Sequence, residues 1–245
     1  MLSLPNEILH FTEAVDKLDT PEGVLDALNA IIAARKINVL GAVLLPLQYG
    51  DTSCLEVGRT VFLHKSAPKG WWDEHLQFIK RSPSPGDVMA RLVLAPYTYS
   101  EAMQKLEPLG VDRWSQELNL KYGIRDVLGC PFGGRWIFAY WSKRQMHLPM
   151  QERALLFLGA AFAIIRLQAL TQPFIGRLVK GAALTPRELS VLRLMADGQR
   201  VGDAAQHLGL GEETIRSHLK KAQLKLGARN SVQAIVRAIR LHLIP

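Results

Sequence analysis

Between Val201 and Leu226 two helical patterns stand only three residues apart, and those three are Gly209-Leu210-Gly211. A connection that short brings the two helices together at a steep angle, the geometry of a helix-turn-helix. The second pattern, from about Glu212 to Leu226, has two distinct faces. Ile215, Leu219, Ala222 and Leu226 recur at i, i+4, i+7 and i+11 and form an inward stripe. Arg216, Lys220 and Gln223 recur at i, i+4 and i+7 on another face, flanked by Lys221 and Lys225. Donors that reach base edges, with cations beside them for phosphates, suit a helix in the major groove of duplex DNA. A solvated face carrying a Glu212–Arg216 pair has the same spacing.

Charge tilts that choice. Residues 176–245 hold 12 Lys/Arg against 5 Asp/Glu, a net of +7, whereas residues 1–175 hold 18 against 17, a net of +1. A small basic module on a near-neutral chain attracts polyanions, nucleic acid first and an acidic membrane surface second. Thr185-Pro186-Arg187-Glu188 opens the module as a capping box with proline at the first helical position, an architectural role. Gly198 stops that helix, and Val201–Leu208 is the next. Ser231–Leu243 is expected to complete a four-helix domain with Val232, Ile235, Ile239 and Leu243 inward, and His218 to make a local hydrogen bond.

The first 170 residues mix both periodicities. Helices are expected over Asn6–Leu18 and Thr20–Arg35, the second started by Thr20-Pro21-Glu22. Strands follow at Val39–Leu47 and Leu55–Leu63 around the turn Gly50-Asp51, then helices at Trp71–Lys80, Asp87–Leu94 and Asp112–Tyr122. Ile124–Pro131, Gly133-Gly134 and Trp136–Trp141 read as a hairpin. Met150–Leu170 reads as one long helix with Leu155, Leu158, Phe162 and Ile165 at spacings of three and four, wide enough to serve both the sheet and a second subunit. Pro173, Gly176 and Gly181 interrupt regular structure in Thr171–Ala183, a linker. The expected fold is α+β: an N-terminal αβα sandwich over 1–170, its mixed or antiparallel sheet flanked by helices. The linker 171–183 then leads to an all-α four-helix helix-turn-helix domain over 184–245.

Several classes drop out. There is no Gly-rich phosphate loop, no GxSxG elbow and no HExxH, so neither an enzyme nor a cofactor or metal is expected. The first strand region, NVLGAVLLPLQ, ends without the acids of a phosphorylated receiver. Cys54 and Cys130 have no metal-ligand spacing and read as buried thiols in a reducing cytoplasm. Acidic residues come too early for a secretory signal, and the most apolar window, Ala154–Ile165, is too short to span a bilayer. A cytoplasmic protein without a membrane partner is expected.

Residues 184–243 resemble the C-terminal domain of LuxR-type transcriptional regulators. Glu188, Leu192 and Gly198 fall on recurrent positions of that family, Thr214-Ile215-Arg216-Ser217-His218 matches the start of its recognition helix, and Lys225-Leu226-Gly227 the end. Gly211 stands where a capping Ser or Thr is usual, and glycine is a tolerable cap. The resemblance implies DNA contacts from Thr214, Arg216, Lys220, Gln223, Lys221, Lys225, Arg200 and Arg229, with Arg216 and Lys220 on bases and Arg200, Lys221, Lys225 and Arg229 on phosphates. It implies a homodimer on a palindromic double-stranded operator, with RNA polymerase as a further partner. Residues 1–170 resemble the family's autoinducer-binding domain, which encloses an acyl-homoserine lactone between sheet and helices. Trp71 then falls where a tryptophan N–H meets the lactone carbonyl, His75 where a tyrosine is usual, and Tyr99 where a tryptophan closes the pocket. Ser84 replaces the aspartate of an Asp-Pro pair, and Val127 a glycine. Losing a charged acceptor weakens the bond to a ligand amide about twofold in strength. The ligand set Trp71, His75, Ser84, Tyr99 and Val127 therefore implies an atypical small-molecule signal, not a typical acyl-homoserine lactone, or none. An antiactivator that pairs with a related regulator and blocks it stays open as the alternative.

Overall fold

The computed structural model describes residues 3–46, 51–109, 113–133, 135–180, 184–240 and 243–244, with backbone alone for Leu109, 172–180 and Arg240. It divides the chain into two compact units, Met1–Gln172 and Pro173–Pro245. The first opens with α1 (Leu4–Ala14) and α2 (Pro21–Ile32), each with proline in its first turn. Thr20 Oγ1 accepts the Gly23 N–H at 3.1 Å, the cap that Thr20-Pro21-Glu22 signals. The strands are β1 (Asn38–Leu44), β2 (Val61–Leu63), β3 (Tyr97–Thr98), β4 (Asp126–Phe132) and β5 (Trp136–Ser142). They form one sheet in the order β2-β1-β5-β4-β3, antiparallel at every junction. The β4–β5 hairpin runs in register from Asp126↔Ser142 to Phe132↔Trp136. Gly50 and Gly134, half of each expected turn, lie outside the described residues.

Alternation along β5 sends Phe138 and Tyr140 to one face and Ile137 and Ala139 to the other. On the first face lies α7 (Met150–Lys180), where the Leu156 carbonyl accepts the Tyr140 hydroxyl at 2.8 Å. Gly159 lets α7 approach: a Cβ there would meet Leu28 Cδ1 at 3.0 Å and Ile8 Cδ1 at 3.2 Å. The second face carries α3 (Trp71–Ile79), α4 (Pro85–Leu92), α5 (Tyr99–Leu106) and α6 (Trp114–Lys121). Leu40, Trp71, Trp72, Trp114 and Trp141 form the core beneath α3 and α6. Helices on both sheet faces make the αβα sandwich.

Four local expectations are corrected. α5 was not anticipated, although Thr98 and Glu101 form a reciprocal capping box at its start. The strand expected over Leu55–Leu63 is confined to Val61–Leu63. Upstream, the Glu56 carbonyl accepts the N–H groups of Arg59, Thr60 and Val61, and Gly58 takes φ +83°, so a local turn competes successfully with the ladder. Helix α7 continues through Pro173 and Gly176 to Lys180, where a linker was expected. One lost backbone bond at proline is tolerable to a helix already nucleated by three apolar turns. Gly181, Ala182 and Ala183 lie outside the described residues. The same helix also outruns the twelve-residue apolar window. Met150–Thr171 is long and apolar enough, by length and composition, to cross a membrane; 33% of its apolar window is buried, including the face packed on Tyr140, Leu28 and Ile8.

The second unit is α8 (Pro186–Ala196), α9 (Val201–Leu208), α10 (Glu212–Lys225) and α11 (Ser231–Arg240). Gly209 closes α9 at φ +65°, and the Leu210 N–H returns to the Ala205 carbonyl at 2.9 Å. Leu192, Ala204, Ile215, Leu219, Ala222, Leu226, Ala234 and Ala238 form the core. Here the fourth correction falls. The face of α11 turned inward carries Ala234 and Ala238, while Val232 is 70% and Ile239 41% exposed. Ile235 and Leu243 pack against the same core as expected, so the buried stripe is centred to one side of Val232 and Ile239.

Candidate nucleic-acid interface and ligand cavity

Helix α10 buries Ile215, Leu219 and Ala222 and exposes Thr214, Arg216, Lys220 and Lys221. Arg200 at the start of α9 and Arg229 after α10 are exposed as well. Two other assigned contacts are engaged inside the unit. Gln223 Nε2 donates to Ser231 Oγ at 3.0 Å. Lys225 Nζ donates to both oxygens of Glu188, at 3.0 and 2.8 Å. Spacing along one helix carries no information about what a neighbouring helix presents, and α8 presents a buried carboxylate. Glu188 is 2% exposed and also accepts the Thr185 N–H at 2.7 Å, completing the capping box. Burial pushes its carboxyl up, but Lys225 and the Thr185 N–H outweigh that and hold it below the usual carboxylate range.

Arg216 meets two carboxylates on its own helix, Glu212 at 3.3 Å and Glu213 at 3.4 Å. The pair that a plain solvated face would show is therefore present, beside a wider basic surface. His218 keeps a buried Nδ1 without a hydrogen-bond partner, so the expected local bond is not made.

In the first unit Trp71, His75, Ser84, Tyr99 and Val127 all line one mainly apolar cavity of about 100 Å³ between the sheet and α3–α6. The alternation of β5 supplies its floor, with Ile137 and Ala139 facing it. The Trp71 indole N–H already donates to Asn119 Oδ1 of α6 at 2.9 Å, both residues being buried. His75 lies among the rings of Trp71 (centroids 4.7 Å), Trp114 (5.2 Å) and Trp72 (5.7 Å), and its Nδ1 has no partner. Burial drives its pKa down to about 3, so the ring is neutral. Ser84 caps α4: its Oγ accepts the Asp87 N–H at 3.1 Å while Asp87 Oδ2 accepts the Ser84 N–H at 3.3 Å. One lone pair of its oxygen is thus in use, and the hydroxyl proton and the second lone pair are what it offers the cavity. Tyr99 shares a 2.6 Å hydrogen bond with Ser115 Oγ, and burial pushes the phenol up to about 12. Val127 adds only apolar bulk.

Sequence reasoning missed Asn119 and Asp87. Asp87 lines the cavity with its carboxyl pushed up by burial, against the pull of Ser84 and Arg91. The pattern Ser84-Pro85-Gly86-Asp87 announced its cap. Nothing in the sequence announced Asn119, 48 residues from its partner.

Comparison with known proteins adds the following. The model of the luxR family of bacterial regulatory proteins matches residues 182–238. The chain is 34% identical over 240 residues to the HTH-type quorum sensing-dependent transcriptional regulator RpaR of Rhodopseudomonas palustris, covering 96% of this chain and 94% of that protein. It is 28% identical over 207 residues to the transcriptional activator protein SolR of Ralstonia nicotianae, covering 80% and 84%. The crystal structure of Escherichia coli SdiA is similar in fold with a TM-score of 0.65 at 17% identity, covering 97% of this chain and 98% of that one. SdiA in complex with octanoyl-rac-glycerol is similar with a TM-score of 0.58.

Proposed function

The chain belongs to the luxR family of bacterial regulatory proteins, and on that premise we propose a sequence-specific, dimeric, DNA-binding transcription regulator. Its first unit senses an atypical small ligand or acts without one. The observation that carries DNA binding is the division of α10: Ile215 and Leu219 anchor it in the core while Arg216, Lys220 and Lys221 stand free of that core on another face. A helix held from behind and cationic in front suits the major groove. Arg216 and Lys220 would read bases, while Lys221, Arg200 and Arg229 would meet phosphates, with Thr214 at the helix start. Lys225 and Gln223, engaged with Glu188 and Ser231, are weaker candidates.

Dimerisation rests on the outer face of α7. Leu155 and Leu158 line a shallow apolar groove with Pro5 and Ala161, and Met150 and Ile165 are exposed nearby. A second copy would cover that face and provide the second helix for a palindromic operator. RNA polymerase is the further partner proposed at a promoter, in the cytoplasm. An antiactivator would use the same face to capture a relative, and gel shift of the purified chain separates it from an independent DNA binder.

The ligand reading rests on the polar groups of the cavity. The Trp71 donor is engaged, Ser84 is uncharged, and His75 is neutral, while Asp87 and Arg91 supply the charged groups of the lining. Such a lining favours an apolar body with a polar head. Calorimetry with a panel of acyl-homoserine lactones, with octanoyl-rac-glycerol as a neutral hydroxylated probe, tests this; tight binding of any common lactone refutes it. For DNA binding the test is selection of the full chain on random duplexes. Enrichment of a palindrome with guanine at a fixed position in each half-site is expected. A chain that binds every duplex equally, or none, sinks the reading.

A further inference from the structure

Two polar side chains of α6, Ser115 and Asn119, line the cavity one helical turn apart. Each already engages a polar group from another element. Asn119 Oδ1 accepts the Trp71 indole N–H of α3 at 2.9 Å, and Ser115 Oγ shares a 2.6 Å hydrogen bond with the Tyr99 hydroxyl of α5. Trp71, Ser115 and Asn119 are all buried. An indole has one proton to donate and no acceptor to offer. A carbonyl that enters the cavity and bonds to Trp71 must therefore displace Asn119. The amide has a place to go: with Tyr99 it also lines a second, more polar recess of about 300 Å³, beside Gln116, Arg125 and Gln145. Asn119 and Tyr99 thus stand in the wall between cavity and recess.

We infer that Asn119 determines the specificity of the cavity: its side-chain amide occupies the position of a ligand carbonyl on Trp71 and selects against ligands whose binding depends on the indole donor. The inference rests on the cavity being a ligand site, as proposed above. In the chain as it stands, a ligand carbonyl replaces one neutral acceptor by another. The indole gains nothing by the exchange, and Asn119 Oδ1 loses its partner. Without Asn119 the buried N–H has no protein acceptor before the ligand arrives, and the carbonyl supplies the whole bond. Leaving such a group unpaired shifts an equilibrium by roughly 5- to 150-fold. The ligand class that escapes this exchange is an apolar body whose polar head bonds to α4, through the Ser84 hydroxyl or the Asp87 carboxyl, both of which line the cavity.

The test is a double-mutant cycle on the full chain, read by calorimetry with N-octanoyl-homoserine lactone titrated to millimolar concentration. Asn119→Leu removes the acceptor and keeps the volume, Asn119→Ala removes both, and Asn119→Asp keeps an acceptor for the indole. Trp71→Phe removes the donor. Asn119→Leu and Asn119→Ala are expected to tighten the lactone about tenfold over the parent, and Asn119→Asp not to tighten it. In a Trp71→Phe background the same substitutions should change affinity less than about twofold. Tightening that survives Trp71→Phe, or that Asn119→Asp shares, is a gain in room and overturns the inference. Affinity unchanged or weakened in both Asn119→Leu and Asn119→Ala overturns it too, and so does a lactone that binds detectably to none of the variants. Tryptophan-monitored urea unfolding checks that each variant folds, and either of the two acceptor-free variants suffices for the comparison. A parent chain that binds the lactone tightly refutes the ligand reading above, which is a separate failure.

Discussion

Replacing Lys225 by methionine should destabilise the second unit more than replacing its partner Glu188 by glutamine. The two groups are unequally placed: Glu188 is 2% exposed and Lys225 34%. Methionine keeps most of the lysine stem and removes the ammonium, leaving a carboxylate in the core with the Thr185 N–H at 2.7 Å as its remaining partner among the described bonds. Breaking a buried pair costs about 3–5 kcal/mol. One end here is a third exposed, so screening lowers the expected cost to roughly 2–3 kcal/mol. Glu188→Gln leaves the charge on Lys225 instead, which can turn to water, and the amide can still accept the Thr185 N–H; about 1 kcal/mol is expected. The assay must see the right unit. All five tryptophans lie in the first unit, so their fluorescence is blind to this change. Hydrogen exchange of α8 and α10 peptides in the full chain reads it directly. The pH dependence supplies the sign. Glu188 is held below the ordinary carboxylate value of about 4.5, so its contribution is present above that pH and is lost as pH falls through the lower, folded value. The deficit of Lys225→Met should therefore be largest near neutrality and close below about pH 4.5. Unchanged exchange in α8 and α10, a reversed order of the two variants, or a deficit that persists in acid would each refute the electrostatic account.

Other expectations follow from single sites. His75 titrates near 3 when folded and near 6.5 when unfolded, so stability should decline as pH drops below 6.5, by about 2 kcal/mol at pH 5. Tryptophan-monitored urea unfolding should show a shallower acid loss in His75→Phe; parallel curves for variant and parent would assign the loss elsewhere. Arg216→Ala should cost roughly 1–3 kcal/mol on the selected duplex and relax one position in each half-site. Lys221→Ala should weaken all duplexes alike and lower the salt slope by about 0.9, and a sequence-dependent loss would exchange these two roles. Gly41→Ala should cost about 3 kcal/mol or more. A Cβ there would sit 2.1 Å from the Phe62 carbonyl oxygen at φ +154°, so an unchanged urea midpoint would contradict the strand register.

Much of this molecule is legible in its residues because the signals are local. Thr20, Thr185 and the Gly209-Leu210-Gly211 break announce helix ends through bonds made within four or five residues. The β4–β5 hairpin is announced by its two glycines and flanking aromatics. The inward stripe of α10 follows from period alone. Where a signal was present and unused, as in Thr98-Tyr99-Ser100-Glu101, it was equally local.

The one-dimensional record also set the charge of the C-terminal module and the apolar residues of each amphipathic face, since both are properties of the residues themselves. Tertiary structure decided which residues of α11's apolar face were buried, which cations of α10 were left outward, and that the Trp71 indole donor in the cavity was taken by Asn119. Glu188 meets Lys225 across 37 positions and Asn119 meets Trp71 across 48. Such partners meet only after helices have packed, because a side chain's hydrogen bonds depend on what the fold brings alongside it, and separation along the chain leaves that open.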